Sequence, residues 1–463
     1  MSTESLVLAA ADAAALQTAG LLRPGSHTGF RRLHKRRLNS SSDEEYAQIP
    51  LDIGPESFAV SAAFADIPVA LFSRETLAYL GLSQSKADEI WSEWTNWPST
   101  GIRREIDAGD GGLEITFIDY ITARLENIED VYEDDDDQWR QCLGRCGISS
   151  SVQDAIMDPS FKRIRLTNSC VFWVEDTIQM RFAGLEDIQR ASRDRERALL
   201  RAASRPGGRG QAARPSGSGQ GRRRAASASE MQQEATPGVS SMHWSRDLAA
   251  EYAKNSDCIT LYKGMDQARM AGLFDNAGVL DNISTLLSSQ PSDFSATRGL
   301  LYFASDYKVA EYYAAYAKHR ANCESVVMIC VSLPKETIDN MEAPELQRLF
   351  WPTPQWKQLV WRSKTGKRLP KPLRKYRDAL LIIGTISKGA ARMFENMQSW
   401  EDMTGDCILR VGPPNRRNPA VQYVFSGDEE GQEFLLDNGK FDVFRFSEED
   451  AQILLTRNPE TVY

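Results

Sequence analysis

The sequence of 463 residues contains no apolar run of about 18 residues or more, so a membrane-spanning helix is not expected. Its first 20 residues lack a basic stretch ahead of the apolar one and carry Glu4 and Asp12, which argues against a secretory signal. The seven cysteines are an odd number and are scattered. We therefore expect reduced thiols and a cytoplasmic or nuclear protein that does not associate with membranes.

Several motifs that are typical of a particular enzymatic or metal-binding function are missing. Cys142 and Cys146 have no second Cys/His pair at zinc spacing, and the four histidines are dispersed, so no metal site is predicted. Neither a G-x-x-x-x-G-K-[ST] phosphate loop nor a G-x-S-x-G nucleophile turn is present. The sequence thus gives no support for a zinc protein, a P-loop NTPase or a hydrolase with a nucleophilic serine.

What is present is ordinary globular composition, with 41% hydrophobic and 26% charged residues. At about 100–200 residues per domain, this length suggests two to four folded units. The formal net charge of -9 does not favour nucleic acid as a partner. Composition shifts divide the chain into four segments, namely a poorly ordered tail (1–50), a mainly helical domain (51–185), a basic low-complexity linker (186–240) and a second folded domain (241–463).

The first half of the chain offers few specific signals. The basic run from Arg31 to Arg37 suits a nuclear-import signal or a phosphate-binding tail, but a solvated charged tail is the commoner origin of such a run. Helices are predicted over 73–80 and 85–94, with Ser85 as the cap of the second. The partly alternating segment 163–175 predicts a strand.

The second folded domain carries most of the information. Short apolar, β-branched runs predict strands, and a run that begins after Asp306 predicts a helix over 307–319. Many strands with few helices predict an α+β domain with a split or two-layer sheet. The predicted strands cover 259–262, 299–304, 325–331, 380–386, 407–411, 421–426 and 441–446.

The order of motifs in this domain is distinctive. Tyr262-Lys263-Gly264 ends the first strand, Leu301-Tyr302-Phe303-Ala304 forms the second, Tyr312 lies on the following helix, and Gln422 begins a late strand. Over about residues 258–446 this order resembles the ADP-ribosyltransferase superfamily, and it is closest to the poly(ADP-ribose) polymerase branch. The resemblance implies an ADP-ribosyltransferase-like domain that uses NAD as its substrate, with a protein or another molecule as acceptor.

The resemblance also implies roles for individual residues. Gly264 would hold the nicotinamide carboxamide through its backbone, and the rings of Tyr302 and Tyr312 would stack on the cationic nicotinamide. Lys263 takes the place of the family's histidine and would hold ribose or phosphate. Gln422 takes the place of the family's catalytic glutamate and would orient a ribose hydroxyl. The predicted catalytic residues are therefore Lys263, Tyr302 and Gln422, and the predicted cofactor-binding residues are Tyr262, Gly264, Tyr302 and Tyr312.

Two departures from the family pattern bear on activity. A carboxylate stabilises the oxocarbenium-like state formed when the nicotinamide–ribose bond breaks, whereas the amide of Gln422 carries no charge. Lys263 is a mobile point charge rather than a fixed donor. Two hypotheses follow, namely transfer of a single ADP-ribose, or a catalytically inactive module that binds NAD, ADP-ribose or a protein partner. By sequence, the spare carboxylates nearest to these motifs are Glu311, Glu324 and Glu433.

One further segment mixes cations with aromatic residues. Residues 356–377 could bind RNA, an acidic protein or the phosphates of NAD, but an insertion between two core strands is more typically a solvated loop.

Overall fold

The structure is a computed structural model that describes residues 5–51, 62–98, 101–107, 112–204, 238–412 and 415–456. It is mixed α/β with one large sheet, as the α+β prediction requires at this level. The described residues divide into two compact units. The smaller unit draws on 1–76 and 185–236, and the larger unit on 77–184 and 237–463. No helix among the described residues has both the length and the apolar character needed to cross a bilayer.

The helices are, in chain order, α1 (Ala10–Thr18), α2 (Ser42–Glu45), α3 (Arg74–Tyr79), α4 (Gln84–Thr95), α5 (Phe117–Ala123), α6 (Asp136–Arg145), α7 (Ser150–Met157), α8 (Lys162–Arg165), α9 (Cys170–Ser204), α10 (Arg246–Lys254), α11 (Tyr307–Arg320), α12 (Lys335–Asp339), α13 (Pro354–Lys364), α14 (Arg374–Arg377), α15 (Ala391–Glu395), α16 (Glu429–Asn438) and α17 (Glu448–Thr456).

The strands are β1 (Leu22–Pro24), β2 (Phe30–His34), β3 (Phe64–Pro68), β4 (Arg103–Arg104), β5 (Glu114–Ile115), β6 (Val239–His243), β7 (Cys258–Asp266), β8 (Leu301–Ala304), β9 (Val326–Pro334), β10 (Leu346–Leu349), β11 (Leu381–Thr385), β12 (Arg410–Val411), β13 (Asn418–Pro419), β14 (Val421–Phe425) and β15 (Lys440–Phe446).

The smaller unit contains a three-stranded antiparallel sheet in the order β1-β2-β3. Val7, Leu33 and Ile67 are completely buried in it. Asp12 joins α1 to the C-terminal part of α9, because its carboxylate accepts a hydrogen bond from the Ser192 hydroxyl at 2.5 Å and pairs with Arg195 at 2.9 Å.

These elements differ from the tail and the linker that the sequence predicts. The basic run from Arg31 lies partly on β2, which pairs with β1 and β3 and buries its Leu33 and His34. Residues 186–204 continue α9 as helix, because polar side chains such as Ser192 and Arg195 find partners on α1. Of the rest of the predicted linker, residues 205–237 lie outside the described residues, and residues 239–240 begin β6.

The larger unit is organised around an eight-stranded sheet in the order β10-β11-β14-β8-β7-β9-β15-β6. The β10–β11 and β15–β6 pairs are parallel, and the other neighbours are antiparallel. The strands predicted near 259, 299, 325, 380, 421 and 441 and the helix over 307–319 are confirmed. The strand predicted over 407–411 is reduced to the two residues of β12.

Two apolar clusters cover the faces of this sheet. Leu261, Phe303 and Ile329 belong to the first cluster, which packs on the face of β7, β8 and β9. Trp356, Trp361 and other side chains of residues 350–407 belong to the second cluster, which packs on the opposite face of β8, β11 and β14. Successive side chains of a strand point to opposite faces, so each core strand contributes to both layers.

Residues 163–175, predicted as a strand, belong instead to α8 and the start of α9. Their partial alternation matches a strand, but apolar side chains three and four apart, such as Cys170, Val171 and Val174, are buried together as on a helix. The helix predicted from Ser85 is confirmed as α4, although its cap is Ser83, whose hydroxyl accepts from the Lys86 backbone N–H at 3.4 Å.

A largely buried ion network joins α9 to the sheet and to α11. The Asp176 carboxylate pairs with Arg269 and with Arg320, each at 2.8 Å, and Arg269 also pairs with Asp266 at the end of β7. Burial disfavours the ionised Asp176 carboxylate, but the two guanidinium groups outweigh it and lower the pKa of Asp176 to about 2. The network therefore depends on a negative charge at Asp176.

We expect acid to weaken the larger unit through Asp176. Because the pKa is lowered in the folded state, the stabilisation is complete above the ordinary pKa of about 4 and is lost between about pH 4 and pH 2. The free energy of unfolding should fall by on the order of 2 kcal/mol from this group. Asp176→Asn should cost about 3–5 kcal/mol at pH 7 and show a shallower fall below pH 4, as measured by denaturant unfolding.

Asp154→Asn is the matched control. Asp154 pairs with Arg140 at 3.2 Å on the surface, so its loss should change stability by less than about 1 kcal/mol. If Asp176→Asn had the same free energy of unfolding as the wild type at pH 7, the network would not depend on the charge of Asp176.

Candidate functional site

Three adjacent strands bring the predicted motifs close together. Tyr262 of β7 is paired with Ala304 of β8, and Ala304 is paired with Gln422 of β14. Since residues two apart on a strand share a face, Tyr262, Tyr302 and Gln422 lie on the same face of the sheet. Residues separated by up to 160 positions in the chain thus meet within three neighbouring strands.

Lys263 is on the other face of the sheet. It follows Tyr262 by one residue, so strand alternation places it on the face that carries Leu261. Burial, with a smaller contribution from the nearby Arg269 guanidinium, lowers the pKa of Lys263 to about 8. The structure therefore does not bring Lys263 together with Tyr302 and Gln422.

Gly264 lies directly against α11. A Cβ atom at this position would meet the carbonyl oxygen of Ala310 and would lie 2.8 Å from Cβ of Ala314. The missing side chain allows the helix backbone to approach the strand. The space on the Cβ side of Gly264 is thus filled by the helix.

Tyr302 is held by a loop that precedes its own strand. Its hydroxyl donates to Oγ of Ser292 at 2.9 Å and accepts from the Phe294 backbone N–H at 3.1 Å, and its ring stacks on Phe294 with centroids 6.4 Å apart. Burial raises the pKa of Tyr302. Both the ring face and the hydroxyl therefore have partners inside the protein.

Tyr312 has different partners. Its hydroxyl donates to the Ser160 carbonyl, and its ring packs on Phe161 with centroids 5.6 Å apart. Tyr312 is 3% exposed, and burial raises its pKa to about 12. The two tyrosines predicted to sandwich one ring are thus each packed against other aromatic residues. Tyr262 is also buried, with Trp244 and Tyr307 edge-on to its ring.

Gln422 belongs to a buried polar cluster centred on Asp293. Its amide nitrogen donates to Oδ2 of Asp293 at 2.8 Å. Asp293 also accepts from the backbone N–H of Ser387 at 2.7 Å and from its hydroxyl at 2.6 Å, and Nζ of Lys364 lies 3.3 Å from Oδ1. Four donors surround one carboxylate that is 7% exposed. The charge of Asp293 is therefore balanced and solvated by the protein itself.

Asp293 is the residue that sequence analysis misses. It lies 129 positions before Gln422, in a loop without hydrophobic period, and only the tertiary fold brings the two side chains together. The partners of this buried carboxylate, Lys364 and Gln422, are distant in the sequence, so no local sequence pattern indicates the cluster.

The spare carboxylates that the sequence suggests are engaged elsewhere or exposed. Glu311 pairs with Arg246 at 3.2 Å, and Glu324 accepts from the Tyr79 hydroxyl at 2.8 Å. Glu433 is exposed on α16. The carboxylate that contacts Gln422 is that of Asp293.

The resulting site is closed and polar rather than open and reactive. Asp293, Gln422 and Ser387 are each less than 10% exposed, and the cations and hydroxyl groups around them already have acceptors. Such a cluster can fix the loop that contains Asp293 against β14 and α13. In the part of the chain that the structure describes, no group of three or more His, Cys, Asp or Glu side chains is arranged to hold a metal ion.

Substitution of Gly264 tests whether the space beside it is filled. We expect Gly264→Ala to lower the free energy of unfolding by about 1–3 kcal/mol, because the added methyl group must displace α11 from β7. Gly299→Ala is the control, since its Cβ would come no closer than 3.4 Å to Leu287. Equal stability of the two variants in denaturant unfolding would show that room exists beside Gly264.

Substitution of Gln422 tests the polar cluster. In Gln422→Glu two carboxylates would lie within hydrogen-bond distance, and one of them would have to take up a proton, which raises its pKa. A raised pKa in the folded state gives stability at low pH that is lost as pH increases. We expect a loss of about 1–3 kcal/mol at pH 8 and a smaller loss at pH 5, measured by denaturant unfolding.

The double variant Gln422→Glu with Asp293→Asn is the matched control. It restores one carboxylate and one amide in exchanged places, so part of the stability lost at pH 8 should return. A single variant as stable as the wild type at both pH values would contradict the contact between these side chains.

Comparison with known proteins adds no family to this geometry. No family model matches the chain, and neither the curated proteins nor the solved structures contain a match.

Proposed function

We propose that the larger unit is an ADP-ribosyltransferase-like module that does not cleave NAD and acts by binding a partner. The observation that carries this proposal is the internal packing of the residues that the resemblance assigns to NAD. Helix α11 lies directly against Gly264, Tyr302 stacks on Phe294, and Tyr312 packs on Phe161.

The relationship to the superfamily is part of the proposal and is supported by strand register. The motifs that resemble the family's first, second and late strands lie on β7, β8 and β14, which are neighbours in the sheet. Tyr262, Ala304 and Gln422 are paired across them. Motifs of a shared site are expected to converge in this way.

The absence of NAD cleavage is supported by the side chains themselves. Catalysis would require an open position beside Gly264, two rings free to stack on nicotinamide, and a carboxylate beside the ribose. Tyr302 is engaged by Ser292 and Phe294, and Tyr312 is engaged by Phe161. Opening such a pocket would mean exposing packed aromatic surface, which is unfavourable.

One observation favours a second candidate function, the transfer of a single ADP-ribose from NAD to a protein acceptor. The carboxylate of Asp293 lies 2.8 Å from the amide of Gln422 and would supply the negative charge that Gln422 lacks. This candidate requires that Lys364 and Ser387 release Asp293 and that the loop before β8 moves away from Tyr302.

Labelled NAD distinguishes the two functions. We expect the wild-type protein to release no nicotinamide and to transfer no label, and Gln422→Glu to gain neither activity, because that substitution disturbs the cluster without opening a pocket. The measurements are nicotinamide release and label in the protein or in an added protein mixture.

If the wild type does transfer label, the variants Asp293→Asn and Tyr302→Ala show whether the transfer depends on this site. Label transfer by the wild type that both substitutions abolish would overturn the binding-module proposal in favour of the transferase. Label that survives both substitutions would place any such reaction away from this site.

A further inference from the structure

The segment 356–377 is strongly basic in a protein of net charge -9. It contains nine lysines and arginines and no aspartate or glutamate. The nine cations are Lys357, Arg362, Lys364, Lys367, Arg368, Lys371, Arg374, Lys375 and Arg377.

This segment is folded rather than a solvated loop. It comprises most of α13, a 3₁₀ turn over Lys371–Leu373 and α14. Trp356, Trp361 and Tyr376 are buried in the apolar cluster beneath it. Apolar anchors on one side fix the backbone, so the cations on the other side are held in a defined arrangement.

Five of the cations form what we call the basic surface. Some of the others have partners, such as Lys364 with Asp293, Lys357 with the Met403 carbonyl, and Arg377 with Asp378. The members of the basic surface are exposed, and none is in salt-bridge contact with a carboxylate of the described chain. They are Lys367, Arg368, Lys371, Arg374 and Lys375.

The composition of this surface identifies the kind of partner. The exposed residues from 366 to 377 are cations, Gly366 and Pro372, without an exposed aromatic or large apolar side chain. Protein interfaces have an apolar or aromatic centre and are depleted in lysine, so an acidic protein is a poor fit. A phosphodiester backbone requires only cations.

The aromatic rings of the segment argue against a single strand. Proteins that bind single strands stack bases on open aromatic faces. Here Nζ of Lys367 lies 3.7 Å from the Trp361 ring centroid, and Nζ of Lys375 lies 4.9 Å from that of Tyr376. Both rings are also buried, so neither is a platform for bases.

We propose that the basic surface binds the phosphodiester backbone of double-stranded nucleic acid without reading its sequence. The net charge of the whole chain does not oppose this, because charges beyond about 8 Å are largely screened at physiological salt. The inference is independent of whether the module cleaves NAD, since none of the five cations belongs to the site around Gln422.

The test measures binding of the full chain to a 20-base-pair DNA duplex and to an RNA duplex of the same length by fluorescence anisotropy at several salt concentrations. The triple variant Lys371→Gln, Arg374→Gln, Lys375→Gln should bind on the order of 100-fold more weakly near 0.1 M salt. The slope of log affinity against log salt should become shallower by about 3. Equal affinity for the two duplexes indicates pure backbone contact, and a preference identifies which duplex is the ligand.

Two charge-matched triple variants serve as controls. Arg222→Gln, Arg223→Gln, Arg224→Gln removes three cations from another basic run, and Lys254→Gln, Lys335→Gln, Arg392→Gln removes three exposed cations of the larger unit. Both should bind duplexes within about threefold of the wild type. Far-UV circular dichroism of all variants verifies that each is folded.

The proposal is overturned by any of four results. These are wild-type binding that is undetectable at 50 mM salt, a control variant that loses as much affinity as the surface variant, tighter binding of a single strand than of a duplex, or tighter binding of poly-glutamate than of a duplex of equal charge.

Discussion

The close approach of α11 to β7 at Gly264 determines what the centre of the larger unit can do. Only a residue without Cβ lets the Ala310 carbonyl and the Ala314 side chain lie directly on the strand. On the same helix Tyr312 packs against Phe161, while Tyr302 is held by the loop before β8. A glycine that the family resemblance assigns to a ligand is therefore used here for packing a helix on a sheet.

The polar cluster around Asp293 lies on the same face of the sheet as the contact between α11 and Gly264. A buried carboxylate is tolerated only when donors replace the lost water, and Gln422, Ser387 and Lys364 supply them. The cluster joins the loop before β8, strand β14 and helix α13. Gln422, which the resemblance aligns with a catalytic glutamate, thus has a structural role that an ionised glutamate could not fill, since its amide donates to a carboxylate.

Charge is distributed unevenly over the larger unit. Inside, the acidic Asp176 and Asp293 are each matched by cations within salt-bridge distance. On the outside of α13 and α14, five cations remain without a carboxylate in salt-bridge contact among the described residues. Interior charges are constrained by burial, whereas an exposed cluster of one sign is free to attract an external partner of the opposite sign.

The amino-acid sequence was sufficient to place most core strands of the larger unit and the helix that follows Asp306, because β-branched runs and a capping aspartate are local signals. The strands that carry the tyrosine and glutamine motifs are neighbours in the sheet, but their order in the sheet followed from the tertiary structure. Local patterns failed for residues 163–175 and for the start of the chain, where isolated apolar residues are buried by contacts with distant segments.

The roles of individual side chains followed from the fold alone. Whether Lys263 shares a face with Gln422 depends on strand register, which a shift of one residue reverses. Whether Gly264 meets a ligand or a helix depends on how closely α11 packs. The Asp293–Gln422 pair spans 129 positions and has no local trace. Secondary structure depends largely on neighbouring residues and can be predicted from them. Contacts between distant residues form only when their segments are buried together in the fold.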